Sequence, residues 1–157
     1  MDLGALGPRH AERISWVSTY QFLQIVAKRF VDPARRVLLV GEAAHLFAPF
    51  GARGMNSGVV DADVAADVIA RALTAKSSQA AATAIDAFDA ERRTAAEWNR
   101  ACAGRALDHL QARTPLRRLT QRFAAGLAPL WKDTGRWLDE APYGPRTPPP
   151  TAGGGRY

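Results

Sequence analysis

Val37-Leu38-Leu39-Val40-Gly41-Glu42-Ala43-Ala44-His45 is the stretch that decides how this chain reads. Four consecutive apolar residues, Val37 to Val40, suit a strand buried on both faces, as in a parallel sheet. Gly41 stops the run where a side chain would block the close approach of a ligand. Glu42 follows at once and offers a carboxylate that accepts hydrogen bonds from sugar-like hydroxyls. The connection from Gly41 to Ser57 is long and punctuated by Pro49, Gly51 and Gly54. A helix is expected to open near Asn56 or Ser57, both good N-cap residues. Val60, Val64, Val68 and Leu73, with Ile69 beside them, are spaced as its apolar stripe. The order strand, glycine loop, helix sets unpaired N–H groups and a positive helix end beside a strand terminus, which favours an anionic ligand.

On the N-terminal side, Met1 to Glu12 reads as irregular. Ile14 to Val26 is rich in β-branched and aromatic residues and reads as a strand ending before Asp32-Pro33. On the C-terminal side, a helix is expected from Gln79 to about Arg113, with Ile85, Phe88, Trp98, Cys102, Leu107 and Leu110 on its buried side. Thr114-Pro115 looks like a cap followed by proline at the first helical position, opening a third helix to about Leu127. From Pro142 onward Pro, Gly and polar residues dominate, and disorder is expected.

Of the 157 residues 47% are hydrophobic and 23% charged, as in a soluble globular protein. Lys and Arg number 21 against 15 Asp and Glu, a formal charge of +6 that favours anionic partners without deciding among nucleic acid, acidic lipid and a phosphorylated cofactor. Cys102 is the single cysteine, so neither an internal disulfide nor a four-cysteine zinc site is possible. Lack of a signal peptide and of any apolar run near the ~20 residues of a membrane span points to the cytoplasm, with no membrane partner.

The run from Val37 to His45 resembles the Gly-Asp-Ala-Ala-His motif of the para-hydroxybenzoate hydroxylase family of FAD monooxygenases. Pro49-Phe50-Gly51-Ala52-Arg53-Gly54-Met55-Asn56-Ser57-Gly58-Val59-Val60-Asp61-Ala62 resembles the rest of that motif at the family's spacing. Phe88-Asp89-Ala90-Glu91-Arg92-Arg93 looks like the family's Tyr-Glu-x-Glu-Arg segment, and Asp133-Thr134-Gly135-Arg136 faintly resembles the phenol and hydroxyphenylpropionate hydroxylase branch.

The resemblance implies an α/β fragment, the end of an FAD-binding Rossmann-like domain followed by long helices. Residues 1–30 would hold a remnant with the last strand of the substrate domain, 31–112 the C-terminal part of the FAD-binding domain, 113–141 a helical extension and 142–157 a disordered tail. It implies FAD as cofactor, contacted by Gly41, Glu42, Pro49, Gly51, Gly54, Met55 and Asn56. Glu42, standing where the family's acid is usually Asp, would bond the ribityl chain; Gly54, Met55 and Asn56 would offer backbone N–H groups to the flavin's O2 and N1 region; Pro49 would pack near the reactive ring edge. The complete enzyme would hydroxylate a small, phenol-type aromatic substrate with NAD(P)H and oxygen.

The family's Gly-x-Gly-x-x-Gly segment and its second FAD segment are not in this sequence, since Gly51-Ala52-Arg53-Gly54 has the wrong spacing. The expectation is that this chain alone neither holds FAD tightly nor catalyses, and that it needs a separate N-terminal partner chain or is a non-catalytic remnant or helical interaction module. Plainer readings stand beside these. His45 suits a loop histidine with a satisfied hydrogen bond better than a zinc ligand, because Gly41 stands where His-Glu-x-x-His needs its first ligand. Arg100, Arg105, Arg113, Arg117, Arg118 and Arg122 read as a solvated helix surface rather than a nucleic-acid face. Trp98, Trp131 and Trp137 read as packing residues and Cys102 as a small core residue.

Overall fold

The computed structural model describes residues 15–16 and 18–140. Two short strands, β1 (Ile25–Val26) and β2 (His45–Leu46), flank a 3-10 turn at Gly41–Ala43. Four helices follow: α1 (Arg53–Leu73), α2 (Ser78–Gln111), α3 (Pro115–Leu127) and α4 (Lys132–Glu140). This is the small α/β arrangement with long trailing helices that the sequence suggests. The expected disordered tail and the expected irregular N-terminus, Met1 to Glu12, lie outside the described residues.

The strands differ from expectation. β1 and β2 pair antiparallel, Ile25 opposite Leu46 and Val26 opposite His45. Of the long strand expected from Ile14 to Val26, only the last two residues form one; Ile14 and Val17 lie outside the described residues, and 15–16 and 18–24 have no regular structure. β2 offers partners to two residues only, and an extended chain without a partner is not a strand.

Val37 to Val40 is likewise no doubly buried parallel strand. Leu38 forms an antiparallel bridge with Val31, and Val37 is 54% exposed. The local cause is Asp32. Its carboxylate accepts hydrogen bonds from the N–H groups of Ala34, Arg36 and Val37, folding the chain back on itself. Those backbone donors, Val37 first, hold the Asp32 carboxyl below its usual range. The fold-back places Leu39 N–H on the Phe30 carbonyl at 2.7 Å and Asp32 N–H on the Val37 carbonyl at 3.2 Å.

The core lies between this fold-back and two helices: Phe30, Val31 and Ala44 meet Val64, Ala65 and Val68 of α1 and Phe88 and Ala96 of α2. On α1 the expected stripe holds at Val64 and Val68 and fails at Ile69 and Leu73, which are 45% and 82% exposed. On α2 the expected Phe88 and Cys102 are buried, whereas Leu110 is exposed and alanines take its place. Small side chains let α1 and α2 approach closely, so bulky residues at their margins are left outside.

The helix ends follow local chemistry. Ser77 accepts a hydrogen bond from Ala80 N–H to open α2, and Thr114 accepts one from Arg117 N–H to open α3, with Pro115 in the first turn as the sequence indicates. α4 packs on α3, and the edge of Trp137 meets the His109 ring of α2 at 5.1 Å. Trp131, expected to pack, is 62% exposed.

Candidate cofactor site

The buried face of α1 carries Ser57, Asp61, Val64, Ala65 and Val68. Asp61 is therefore a carboxylate on a core stripe, 1% exposed, where an unpaired charge is strongly destabilising. Three donors meet it. Gly41 N–H and His45 Nε2 lie 3.0 and 2.7 Å from Oδ2, and Arg92 Nε of α2 lies 2.8 Å from Oδ1. Burial pushes the Asp61 carboxyl up, but the hydrogen bonds from His45, Arg92 and Gly41 together with the Arg92 charge outweigh it and hold the group below its usual range. One side chain thus joins the 3-10 turn, β2, α1 and α2. His45, donating through Nε2 and stacked on Phe47 at 4.5 Å, is a member of this junction; it has the expected hydrogen bond but lies in β2 rather than in a loop.

A second contact fixes the same turn. Gly41 has φ +57°, and a Cβ placed on Gly58 would lie 3.3 Å from the Gly41 Cα. The absence of a side chain at Gly58 lets α1 lie directly against the turn that carries Glu42. A third link runs through Asn99 of α2, which accepts from Arg53 Nη1 at 2.9 Å and donates to Ser57 Oγ at 3.0 Å.

The helix expected to open at Asn56 or Ser57 instead opens at Arg53. Gly51 and Ala52 both adopt left-handed backbone, φ 75° and 52°, and turn the chain into α1 before those residues are reached. Ser57 is thereby committed to Asn99 rather than to capping. No side chain caps α1, and no acid occupies its first turn. Its first turn therefore presents backbone donors and a positive end to solvent.

Each candidate residue has a definite place. Glu42 is exposed in the 3-10 turn after Val40, rather than at the end of a regular strand. Pro49 and Gly51 are exposed in the loop between β2 and α1. Gly54, Met55 and Asn56 lie in the first turn of α1; a Cβ on Gly54 would meet nothing within 4 Å, and Met55 is 74% exposed. The uncapped, acid-free start of α1 favours an electron-rich or anionic group, and the exposed Glu42 carboxylate is an acceptor for hydroxyl donors. A separate cavity of about 430 Å³ lies at the Asp32 turn, lined by Lys28, Arg29, Arg35 and Arg93 among others, and includes none of these residues.

Sequence reasoning quoted Gly58, Asp61 and Arg92 within the motif stretches without giving them a role, and passed over Asn99. The signal was periodicity. Asp61 falls on the α1 stripe with Val64 and Val68, and Arg92 and Asn99 fall on the α2 stripe with Phe88 and Cys102. Opposite charges on two apolar stripes mark a buried pair joining two helices.

A family model described as an FAD binding domain matches residues 7–101. A putative polyketide hydroxylase of Streptomyces coelicolor is 40% identical over 75 residues, which span 47% of this chain and 12% of that protein. The chain thus corresponds to a small part of that relative's length. No solved structure matches.

Proposed function

The chain belongs to the FAD binding domain family, and we propose that it supplies the flavin-contacting segment of a flavin-dependent monooxygenase acting on phenol-type aromatic rings with NAD(P)H and oxygen. The observation that carries this reading is the uncapped first turn of α1, entered through Gly51 and Ala52 and set by the Gly41–Gly58 contact against the turn bearing Glu42. The name of the Streptomyces coelicolor hydroxylase supports hydroxylation as the reaction.

FAD, when bound, supplies the redox and oxygen chemistry. This chain's residues bind and orient it. Glu42 would accept hydrogen bonds from the ribityl hydroxyls. The first turn of α1, at Gly54, Met55 and Asn56, would hold the electron-rich edge of the ring, with the free N–H groups of Gly54 and Met55 and the positive helix end stabilising negative charge there. Pro49 and Gly51 would shape the loop beside the ring, and Gly41, at φ +57° and against Gly58 of α1, would keep the turn that carries Glu42 close to the helix start. The Asp61 junction holds these parts at a fixed spacing and stays out of the chemistry.

The rest of the FAD site lies on further polypeptide, a partner chain or a longer form of this one. α1 supports this. Met55, Val59, Ala62, Ala66, Ile69 and Leu73 form a second, exposed small-and-apolar stripe, and a helix apolar on two faces suits burial between layers.

A chimaera tests the proposal: the stretch of this chain that aligns over 75 residues with the Streptomyces coelicolor hydroxylase replaces its counterpart there. Flavin absorbance should survive desalting, and phenolic compounds should stimulate NAD(P)H consumption. A folded chimaera that retains no flavin overturns the FAD assignment. One that keeps flavin and ignores every aromatic compound overturns the reaction. The 157-residue chain alone should retain little flavin in the same assay, because it lacks the pyrophosphate-binding segment.

A further inference from the structure

α3 carries a surface that the flavin reading leaves unused. Leu116, Leu119, Phe123 and Leu127 are 73%, 50%, 64% and 44% exposed. Their spacing of three and four residues makes one apolar stripe along the whole helix. Leu130 and Trp131, 87% and 62% exposed, extend it. The helix is anchored from its other side. Ala124 is buried, Gln121 Nε2 donates to the His109 carbonyl at 2.8 Å, and Arg118 Nε donates to the Ala112 carbonyl at 2.9 Å. The stripe faces outward because packing holds it there.

Charge identifies what covers it. Between His109 and Lys132 there is no acidic residue, while Arg113, Arg117, Arg118, Arg122 and Lys132 are cationic. Arg122 lies three residues from Leu119 and so stands beside the stripe, while Arg118 is held on the anchored side by the Ala112 carbonyl. A second copy of this chain would set cations against cations with no acid in the segment to offset them. A nucleic acid would satisfy the arginines and leave the Leu and Phe side chains in water. An anionic lipid surface satisfies both, taking Leu, Phe and Trp into the acyl boundary and arginines among the headgroups.

We propose that α3, extended by Leu130 and Trp131, is an interfacial element that seats this chain on a membrane rich in anionic lipid. No helix among the described residues is long and apolar enough to cross a membrane. The expectation of no membrane partner rested on that absence, and a peripheral contact needs no span.

The test uses the full chain with phosphatidylcholine vesicles, with and without phosphatidylglycerol. Co-sedimentation should require phosphatidylglycerol and weaken as salt rises. Arg122→Gln should reduce the partition constant about fivefold, the factor that ~1 kcal/mol per basic residue near an anionic surface implies. Phe123→Asp should reduce it at least about tenfold through lost apolar burial. Both positions are exposed, so circular dichroism should be unchanged. Equal binding to neutral vesicles, absence of binding to either, or indifference to Phe123→Asp would overturn the proposal. So would a concentration-dependent oligomer abolished by Phe123→Asp, or a DNA or RNA duplex that binds the chain and fails to be displaced by anionic vesicles.

Discussion

The ends of the helical layer are held by different physics. Where α1 crosses α2, polar groups are buried and paired: Asp61 reaches Gly41, His45 and Arg92, and Asn99 bridges Arg53 and Ser57. Around α3 and α4 the reverse holds. Ala124 is the only buried residue on these two helices, and Leu, Phe and Trp side chains stand in water. Buried polar contacts have strict geometry and no substitutes, so the first region has one stable arrangement. Exposed apolar contacts are undirected and adapt to whatever surface meets them. The region built to hold a cofactor is specified from within, and the outer helices are specified by what they touch.

The largest expected effect lies at the junction. Asp61→Ala leaves Arg92 buried without its carboxylate and should cost about 3–5 kcal/mol in urea unfolding, enough to prevent folding of a marginal chain. A loss under about 1 kcal/mol would mean the junction relaxes as freely as a surface contact. The same residue sets a pH dependence. A carboxyl held below its unfolded value stabilises the fold above that unfolded value and loses the contribution as pH falls through the folded one. Acid unfolding should therefore set in below the ordinary carboxylate range, and Asp61→Asn should flatten the stability curve there. A curve of identical shape in the variant would assign the acid sensitivity to other groups.

Intermediate effects fall on the cofactor contacts. In the chimaera, Glu42→Ala should weaken FAD binding by ~1–3 kcal/mol, measured by flavin fluorescence titration, and leave stability nearly unchanged because Glu42 is exposed. Unchanged affinity would detach Glu42 from the ribityl chain. The smallest effect belongs to α3, where Phe123→Asp should shift stability by no more than about 0.5 kcal/mol. A larger loss would show the stripe to be part of the folded interior and erase the contrast between the regions.

The chemistry-bearing segment was legible because its signals are local. Gly41, Glu42 and the glycine loop sit within a few residues of one another, and proline and an N-cap hydroxyl at Thr114-Pro115 announce α3 by themselves. What was misread depended on distant partners. Val37 to Val40 has the composition of a central strand, but the Asp32 turn folds it against Val31 instead. Ser57 has the chemistry of a cap, but Asn99, far along the chain, claims its hydroxyl.

The sequence by itself determined the order of the first three helices and the family to which residues 7–101 belong, since both rest on residue type and short-range spacing. Only the tertiary structure decided that α1 starts at Arg53, that Gly58 lies against Gly41, and that Asp61 meets Arg92. The last two are contacts between residues separated in sequence, and the first follows from the left-handed backbone at Gly51 and Ala52. Periodicity shows which face such a residue occupies, and only packing shows which partner stands opposite.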